Sequence, residues 1–362
     1  MSFVSFPKIK QFRDVIISVS RRSTFIGLYE NGEPIYDNSL RLPTISFMGT
    51  TKMHGTNSAV SRAPDTGDLH AQSRNHIITP DSDNAGFARF VQDTPAAVWD
   101  QLFESFVYEY PGQRVTIFGE WIGHGIGGAA VREIPERSFV VFGVYIGERG
   151  NKESDEQSSG EWFPIRKVPS FVRKAPDCRG QFSLCHIYLI TDLSPIFEID
   201  IDFNYPQLSQ NKLADLTLEI EKSCPVAKAL GAEGIGEGIV WCPVTDGWED
   251  PDYWFKVKGD KHSASKVKTL AQIDPTKVNN IKEFVEEVVT ENRLQQALDY
   301  IKEMDKPVSR ASTGDFVRWV INDIMAEEAD TMEASGLVTK DVAANVSNVA
   351  RKWFFDYLDM EF

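Results

Sequence analysis

The sequence predicts an α+β protein, with antiparallel sheets over most of its length followed by a small all-helical C-terminal domain. From about residue 40 to residue 262, short β-branched and aromatic runs alternate with Gly, Pro, Asp and Asn, the texture of strands and turns. Past about residue 270, apolar residues recur instead at spacings of three and four, the mark of amphipathic helices. A length of 362 residues also suits two domains with ample core in each. The expected domains are 1–265 and 270–362, joined near Asp274-Pro275.

In the first part, Ile45, Phe47 and Met48 mark a strand that leads to Lys52. Further strands are expected at 114–118, 138–146, 238–241 and 253–257, and helical spacing covers 87–106. The segment 147–161 carries almost no apolar residue and reads as an exposed hairpin insertion, with disorder as the other reading. The residues ahead of Lys52 are too few for a further barrel domain and read as part of the sheet edge. In the second part, Val278, Ile281, Phe284, Val285, Val288 and Val289 begin a helical face that Leu294, Leu298 and Ile301 continue. A helix over 315–324, with Ser312 and Thr313 as caps, and another over 339–358 complete it.

A net charge of −15 argues against a general nucleic-acid coat. It leaves room for an enzyme of nucleic acids, because such binding rests on a local basic groove. Lys256, Lys258, Lys261, His262, Lys266 and Lys268 form one basic cluster, whose ordinary reading is a solvated loop. Cys178, Cys185, Cys224 and Cys242 show no metal-ligand spacing and read as reduced, mostly buried thiols. No apolar run approaches the roughly 18 residues that span a bilayer, and no signal core opens the chain. A soluble, cytoplasmic protein is expected, without membrane partners and as a monomer.

The chemistry starts at Lys52-Met53-His54-Gly55-Thr56-Asn57, a lysine ahead of a tight polar turn. A lysine at the floor of a pocket beside other charges can serve as a nucleophile. Arg74 supplies a cation downstream, and Glu120 stands just after an apolar strand and before glycines 123, 125, 127 and 128. Phe142 lies near the middle of a strand; Glu237 sits between two glycines ahead of another. Lys256 and Lys258 share one strand face, because strand side chains alternate, and two cations there suit a polyphosphate. Singly, each has an ordinary reading: a surface carboxylate, a core aromatic, an exposed strand face or a salt-bridge arginine.

In this order the residues resemble the covalent nucleotidyltransferase superfamily of ATP-dependent ligases and capping enzymes. Within it, the K-x-H-G-T-N form of the first motif resembles the bacteriophage RNA ligase 2 type, which includes RNA-editing ligases. DNA ligases usually carry K-x-D-G there. The resemblance covers essentially the whole chain, and the tail looks like the helical domain of those phage enzymes rather than an OB barrel. In that tail Arg293, Asp323 and Glu327 match positions tied to sealing of the RNA end.

The resemblance implies ATP as cofactor, AMP attached covalently to Lys52, Mg2+ or Mn2+, and RNA ends or nicked duplex RNA as substrate. It implies that Glu120 holds the ribose hydroxyls, Arg74 contacts the ribose or an RNA phosphate, Phe142 stacks on adenine, and His54 and Asn57 attend the phosphates. It further implies that Glu237 holds the metal while Lys256 and Lys258 stabilise the α-phosphate. A free lysine has a pKa of about 10.4, so like charge from Lys256 and Lys258 would help to activate the nucleophile. A ligase with DNA or mixed substrates, a GTP-using capping enzyme and a non-catalytic RNA-end binding protein of the same fold are the alternatives.

Overall fold

The computed structural model describes residues 3–147, 160–164, 182–262, 281–304, 306–334 and 336–361. The expected domain junction, Cys178, Lys266, Lys268, Val278 and most of the 147–161 insertion lie outside the described residues. The chain opens with β1 (Lys10–Gln11), α1 (Phe12–Thr24) and a hairpin of β2 (Phe25–Leu28) and β3 (Pro34–Tyr36). Strands β4 (Thr44–Lys52), β5 (Thr56–Arg62), β6 (Leu69–Ser73) and β7 (Ile77–Ile78) follow. Helices α2 (Phe87–Asp93) and α3 (Ala96–Glu109) then lead to β8 (Val115–Ile122), β9 (Ser138–Ile146) and β10 (Glu161–Pro164). After β11 (Ile187–Leu189) and β12 (Phe197–Asp202) come α4 (Gln210–Lys222), β13 (Gly238–Pro243) and β14 (Phe255–Lys258). The remainder is helical: α5 (Ile281–Val288), α6 (Glu291–Glu303), α7 (Thr313–Glu327) and α8 (Thr339–Glu361), with a short helix at Ala329–Ala334.

The strands make two main sheets. One runs β1-β14-β13-β4-β12, and the other runs β10-β9-β8-β5-β6-β7 with β11 also on β9. Most pairings are antiparallel, as expected, but β1 on β14 and β11 on β9 are parallel. The N-terminal segment does form a sheet edge through β1, and it adds the helix α1 that its sequence pattern had not suggested. Asp14 helps to start that helix by accepting from the Gln11 backbone N–H at 3.2 Å.

Three further expectations are corrected in detail. The helix expected over 87–106 is broken into α2 and α3, because Pro95 follows Thr94 and removes a helical donor. Tyr253 and Trp254 precede the strand β14 rather than joining it; Pro251–Tyr253 is a 3-10 turn. Ser312 does stand at the N-cap position of α7, but neither its hydroxyl nor that of Thr313 makes a capping bond: they donate backward, to the carbonyls of Pro307 and Arg310.

Each body has its own core. The larger sheet packs on α2 and α3 through Trp99, Phe103, Phe106, Ile117 and Phe139. The smaller sheet packs on α1 and α4 through Phe12, Phe47, Leu213, Trp241 and Phe255. The helices from α5 onward bury Phe284, Leu298, Phe316, Val320, Val346 and Phe354 among themselves, and no strand occurs there among the described residues. Cys185 is half-buried, and Cys224 and Cys242 are buried, all as free thiols.

In the buried middle of β4, Gly49 lets the strand lie against Trp241: a Cβ there would meet the indole at 2.8 Å. Gly49→Ala therefore overpacks the smaller sheet and lowers unfolding stability by about 1–3 kcal/mol. A urea midpoint equal to that of the parent would contradict this.

Candidate active site

Sheet register places two of the sequence-predicted residues in one row and a third beside it. Lys52, the last residue of β4, pairs with Gly238 of β13, and Gly238 pairs in turn with Lys258 of β14. Glu237 immediately precedes that glycine, so its side chain lies between the two ammonium groups. Lys52 Nζ donates to Glu237 Oε2 at 2.7 Å, and Lys258 Nζ reaches Oε1 at 3.0 Å. Gly238 (φ +153°) is needed for this approach, since a Cβ would strike the Val257 carbonyl. Two residues along β14, Lys256 points to the same side, as strand alternation requires.

Residues 53–55 carry the chain from one sheet to the other, so Lys52 stands where the two sheets meet. On the far side, the Gly55 N–H donates to Glu120 Oε1 at 3.0 Å, and Asn57 pairs with Glu120 across β5 and β8. Phe118 pairs with Gly143 and Gly119 with Val141, which leaves Phe142 as the extra residue of a β-bulge. The bulge turns its ring to the cleft, where Phe6 supports it edge-on at 5.0 Å.

The glycine-rich turn braces the lysine loop. The Gly128 N–H donates to the His54 carbonyl at 2.8 Å, and a Cβ on Gly127 (φ +72°) would collide with that carbonyl. A cleft of about 800 Å3 joins Lys52, His54, Asn57, Arg74, Glu120, Phe142, Glu237, Lys256 and Lys258. Thus all nine residues that the sequence assigned to nucleotide binding line one space.

The helical domain forms the other wall, with α6 and α7 facing the cleft. Lys256 Nζ is bound to Glu327 Oε1 at 2.8 Å. Arg293 is fully buried behind it, donating to Asp323 at 2.9 Å and Glu327 at 3.1 Å and approaching Glu328 at 3.5 Å. Arg13 of α1 meets Glu328 at 2.9 Å and donates to the Glu327 carbonyl. Asp323 and Glu327 therefore reach the cleft, whereas Arg293 lies beneath them and does not open onto it.

Several residues of the cleft were not foreseen. Asp299 lies 3.7 Å from His54 Nε2, and Glu303, one turn further along α6, stands close enough to Arg74 and Glu120 to alter its ionisation. A signal existed in their spacing of four, on the face of α6 opposite Leu294, Leu298 and Ile301. Glu328 and Arg13 carried no such signal, because their pairing joins residues more than three hundred positions apart.

Burial and charge act in opposite directions on these acids. Burial disfavours the charged form of Glu237, but Lys52, Lys258 and His54 prevail and hold it well below the usual carboxylate range. Glu327 is likewise held low, by Lys256 and Arg293 against burial. Burial pushes Glu120 up to about 7, with Glu237 adding to the rise and Lys52 resisting it. Glu303 is also pushed up to about 7, by burial and then by Glu120. Among the lysines, Lys258 is lowered by burial and by its cationic neighbours, whereas Glu327 raises Lys256 in spite of burial.

No three His, Cys, Asp or Glu residues form a metal cage among the described residues. Glu237 nevertheless offers hard, ionised oxygens with lone pairs beyond those its two lysines use. That suits a hydrated Mg2+ or Mn2+ completed by water and phosphate oxygens.

Two sheets meeting at a lysine, with acids, an aromatic and two further lysines around it, define the arrangement expected of a nucleotidyltransferase. The chain belongs to the RNA ligase family, whose model matches residues 45–258. No curated protein matches it by sequence. Among solved structures it is similar to the RNA ligase of Naegleria gruberi. A mutant of that ligase with ATP and Mn aligns at 15% identity and a TM-score of 0.42, over 72% of this chain and 58% of that one. The form with PPi aligns at 15% and 0.39, over 72% and 57%. The chain thus spans less than two thirds of the length of that ligase.

Gly127→Ala would push the His54 carbonyl and displace the loop that directly follows Lys52. Its expected effect is at least a roughly tenfold slower labelling by ATP in a chain that still melts cooperatively, since small misplacements can cost about a hundredfold. Parent-like labelling would contradict the bracing role.

The raised Glu303 gives a pH signature. Its ordinary value is 4.5 and its folded value about 7. The folded chain therefore keeps a proton that the unfolded chain releases, and stability falls as pH rises through that window. Glu303→Gln removes the loss, so its stability relative to the parent should increase from about pH 5 to about pH 8. A constant difference in urea midpoints across that range would refute it.

Proposed function

We propose that the protein is an ATP-dependent RNA ligase that seals 3′-hydroxyl and 5′-phosphate ends, foremost at nicks in duplex RNA. The observation that carries this reading is Lys52 at the meeting of the two sheets, its amine 2.7 Å from Glu237 and within one cleft with Lys256, Lys258, Glu120 and Phe142. Family membership over residues 45–258 supports it. The helical tail supports the phage RNA ligase 2 type over ligases that carry an OB barrel.

In the first step the deprotonated Lys52 amine forms an N–P bond to the α-phosphorus of ATP. The bond to the bridging oxygen breaks, and pyrophosphate leaves with the electron pair. Glu237 stays anionic, so it orients the amine rather than storing its proton, and the proton released as the N–P bond forms passes to water. Lys256 and Lys258 neutralise charge that builds on the phosphoryl oxygens. Glu120 holds the ribose hydroxyls beside the Gly55 N–H, Arg74 approaches the ribose or an RNA phosphate, and Phe142 offers its ring to adenine.

His54 and Asn57 lie on the phosphate side. Glu237 would hold Mg2+ or Mn2+, whose charge further neutralises the phosphates. AMP then passes to the 5′-phosphate of an RNA end, restoring the Lys52 amine. Attack by the 3′-hydroxyl releases AMP and closes the phosphodiester. Asp323 and Glu327 would act at that RNA end, with Arg293 fixing them from below.

Incubation of the full chain with ATP and Mg2+ should add the mass of one AMP, and Lys52→Ala should abolish the addition. An adduct that persists in that variant, or no adduct in the parent, would sink the mechanism. Sealing of nicked duplexes with RNA or DNA at the 3′-hydroxyl side then decides between the RNA ligase reading and a DNA or mixed-substrate ligase.

A further inference from the structure

Of the two lysines assigned to the α-phosphate, Lys256 is already engaged by an acid of the helical wall. Lys256 Nζ lies 2.8 Å from Glu327 Oε1, and the ion pair is largely shielded from solvent. Glu327 is held from behind: Arg293 donates to its Oε2 at 3.1 Å, and Gln11 Nε2 approaches the same oxygen at 3.4 Å. Arg293 is fixed in turn by Asp323 and Glu328, and Arg13 anchors Glu328 to α1.

The contact is part of a wider match of charges. Along the same wall, Asp299 faces His54 at 3.7 Å, and Glu303 stands near Arg74. Two cations of the nucleotide side, Arg74 and Lys256, and the His54 imidazole therefore face acids of α6 and α7. A carboxylate oxygen accepting from an ammonium makes the same charge-assisted bond that a phosphate oxygen would make. The ammonium has three donors, so the obstacle is charge: a phosphate oxygen drawn to Lys256 meets the anionic Glu327 carboxylate of the opposite wall, and the two anions repel.

We propose that Glu327 is a self-ligand of Lys256, standing in for phosphate, so that the α6–α7 wall must withdraw before a polyphosphate engages that lysine. The inference rests on the ligase reading only for the identity of the nucleotide. A clasp closed in about nine molecules of ten weakens apparent affinity roughly tenfold. Lys52 and Lys258 lie outside the clasp, because both are paired with Glu237 of the nucleotide side.

The test is the ATP concentration that half-saturates AMP attachment to Lys52 in the full chain. Glu327→Gln keeps the shape and removes the charge, and the half-saturating concentration should fall roughly tenfold. An unchanged or higher value, with AMP still attached, overturns the clasp, because a carboxylate that merely props up Lys256 would have that effect. The parent chain gives an independent reading by hydrogen exchange over 313–327 with inorganic tripolyphosphate. Faster exchange supports withdrawal of the wall; unchanged or slower exchange overturns it. If the parent never acquires AMP, the ligase reading fails instead, and the tripolyphosphate measurement still judges the clasp.

Discussion

Glu237 is the group on which the rest of the site depends. It is 4% exposed and carries a full charge, a state that burial alone would forbid. Two lysines make it tolerable, one on each oxygen, and they can do so only because three strands bring residues 52, 238 and 258 into one row. The dependence is mutual: without the carboxylate, two ammonium groups would face each other in a half-buried cleft. Backbone pairing in a sheet thus fixes the electrostatics, and the electrostatics fix where the Lys52 amine stands.

A second charge network ties the bodies together. Arg293 is 0% exposed and is shared among Asp323, Glu327 and Glu328. Burying that many charges gives little net stability, since desolvation offsets most of the attraction. What it does give is orientation, because each partner restricts the others. Arg13 extends this lock to α1, so the N-terminal segment at the sheet edge also helps to hold the helical domain over the cleft.

Much of this was legible in the sequence for a physical reason. Lys52, Glu237, Lys256 and Lys258 sit at or beside strand ends, where alternation and neighbouring glycines already say which way a side chain points, whereas Glu120 was expected just after a strand and lies inside β8. The helical domain was legible from the spacing of Phe284, Val288, Leu298 and Ile301. The break at Pro95 was also written in the sequence, but a continuous apolar periodicity across it masked the signal. The parallel pairings of β1 and β11 were not legible, because short strands carry too little pattern to name a partner. Glu303, Glu328 and Arg13 were invisible in the sense that matters, since their environment exists only once distant segments meet. Arg293 was visible by position, but its burial was not.

The loop at 53–55 crosses from one sheet to the other, with Lys52, Lys256 and Lys258 on one side and Glu120 and Phe142 on the other. In the proposed reaction a bound adenylate would therefore touch both halves at once: its phosphate anchored to one sheet, its sugar and base to the other. The ligand would then act as a cross-tie, stiffening the joint between the sheets as long as it remains attached. Departure of AMP would remove the tie and restore play at that joint, so the occupancy of a single lysine would be felt as a change in rigidity across the whole nucleotide-facing half of the molecule.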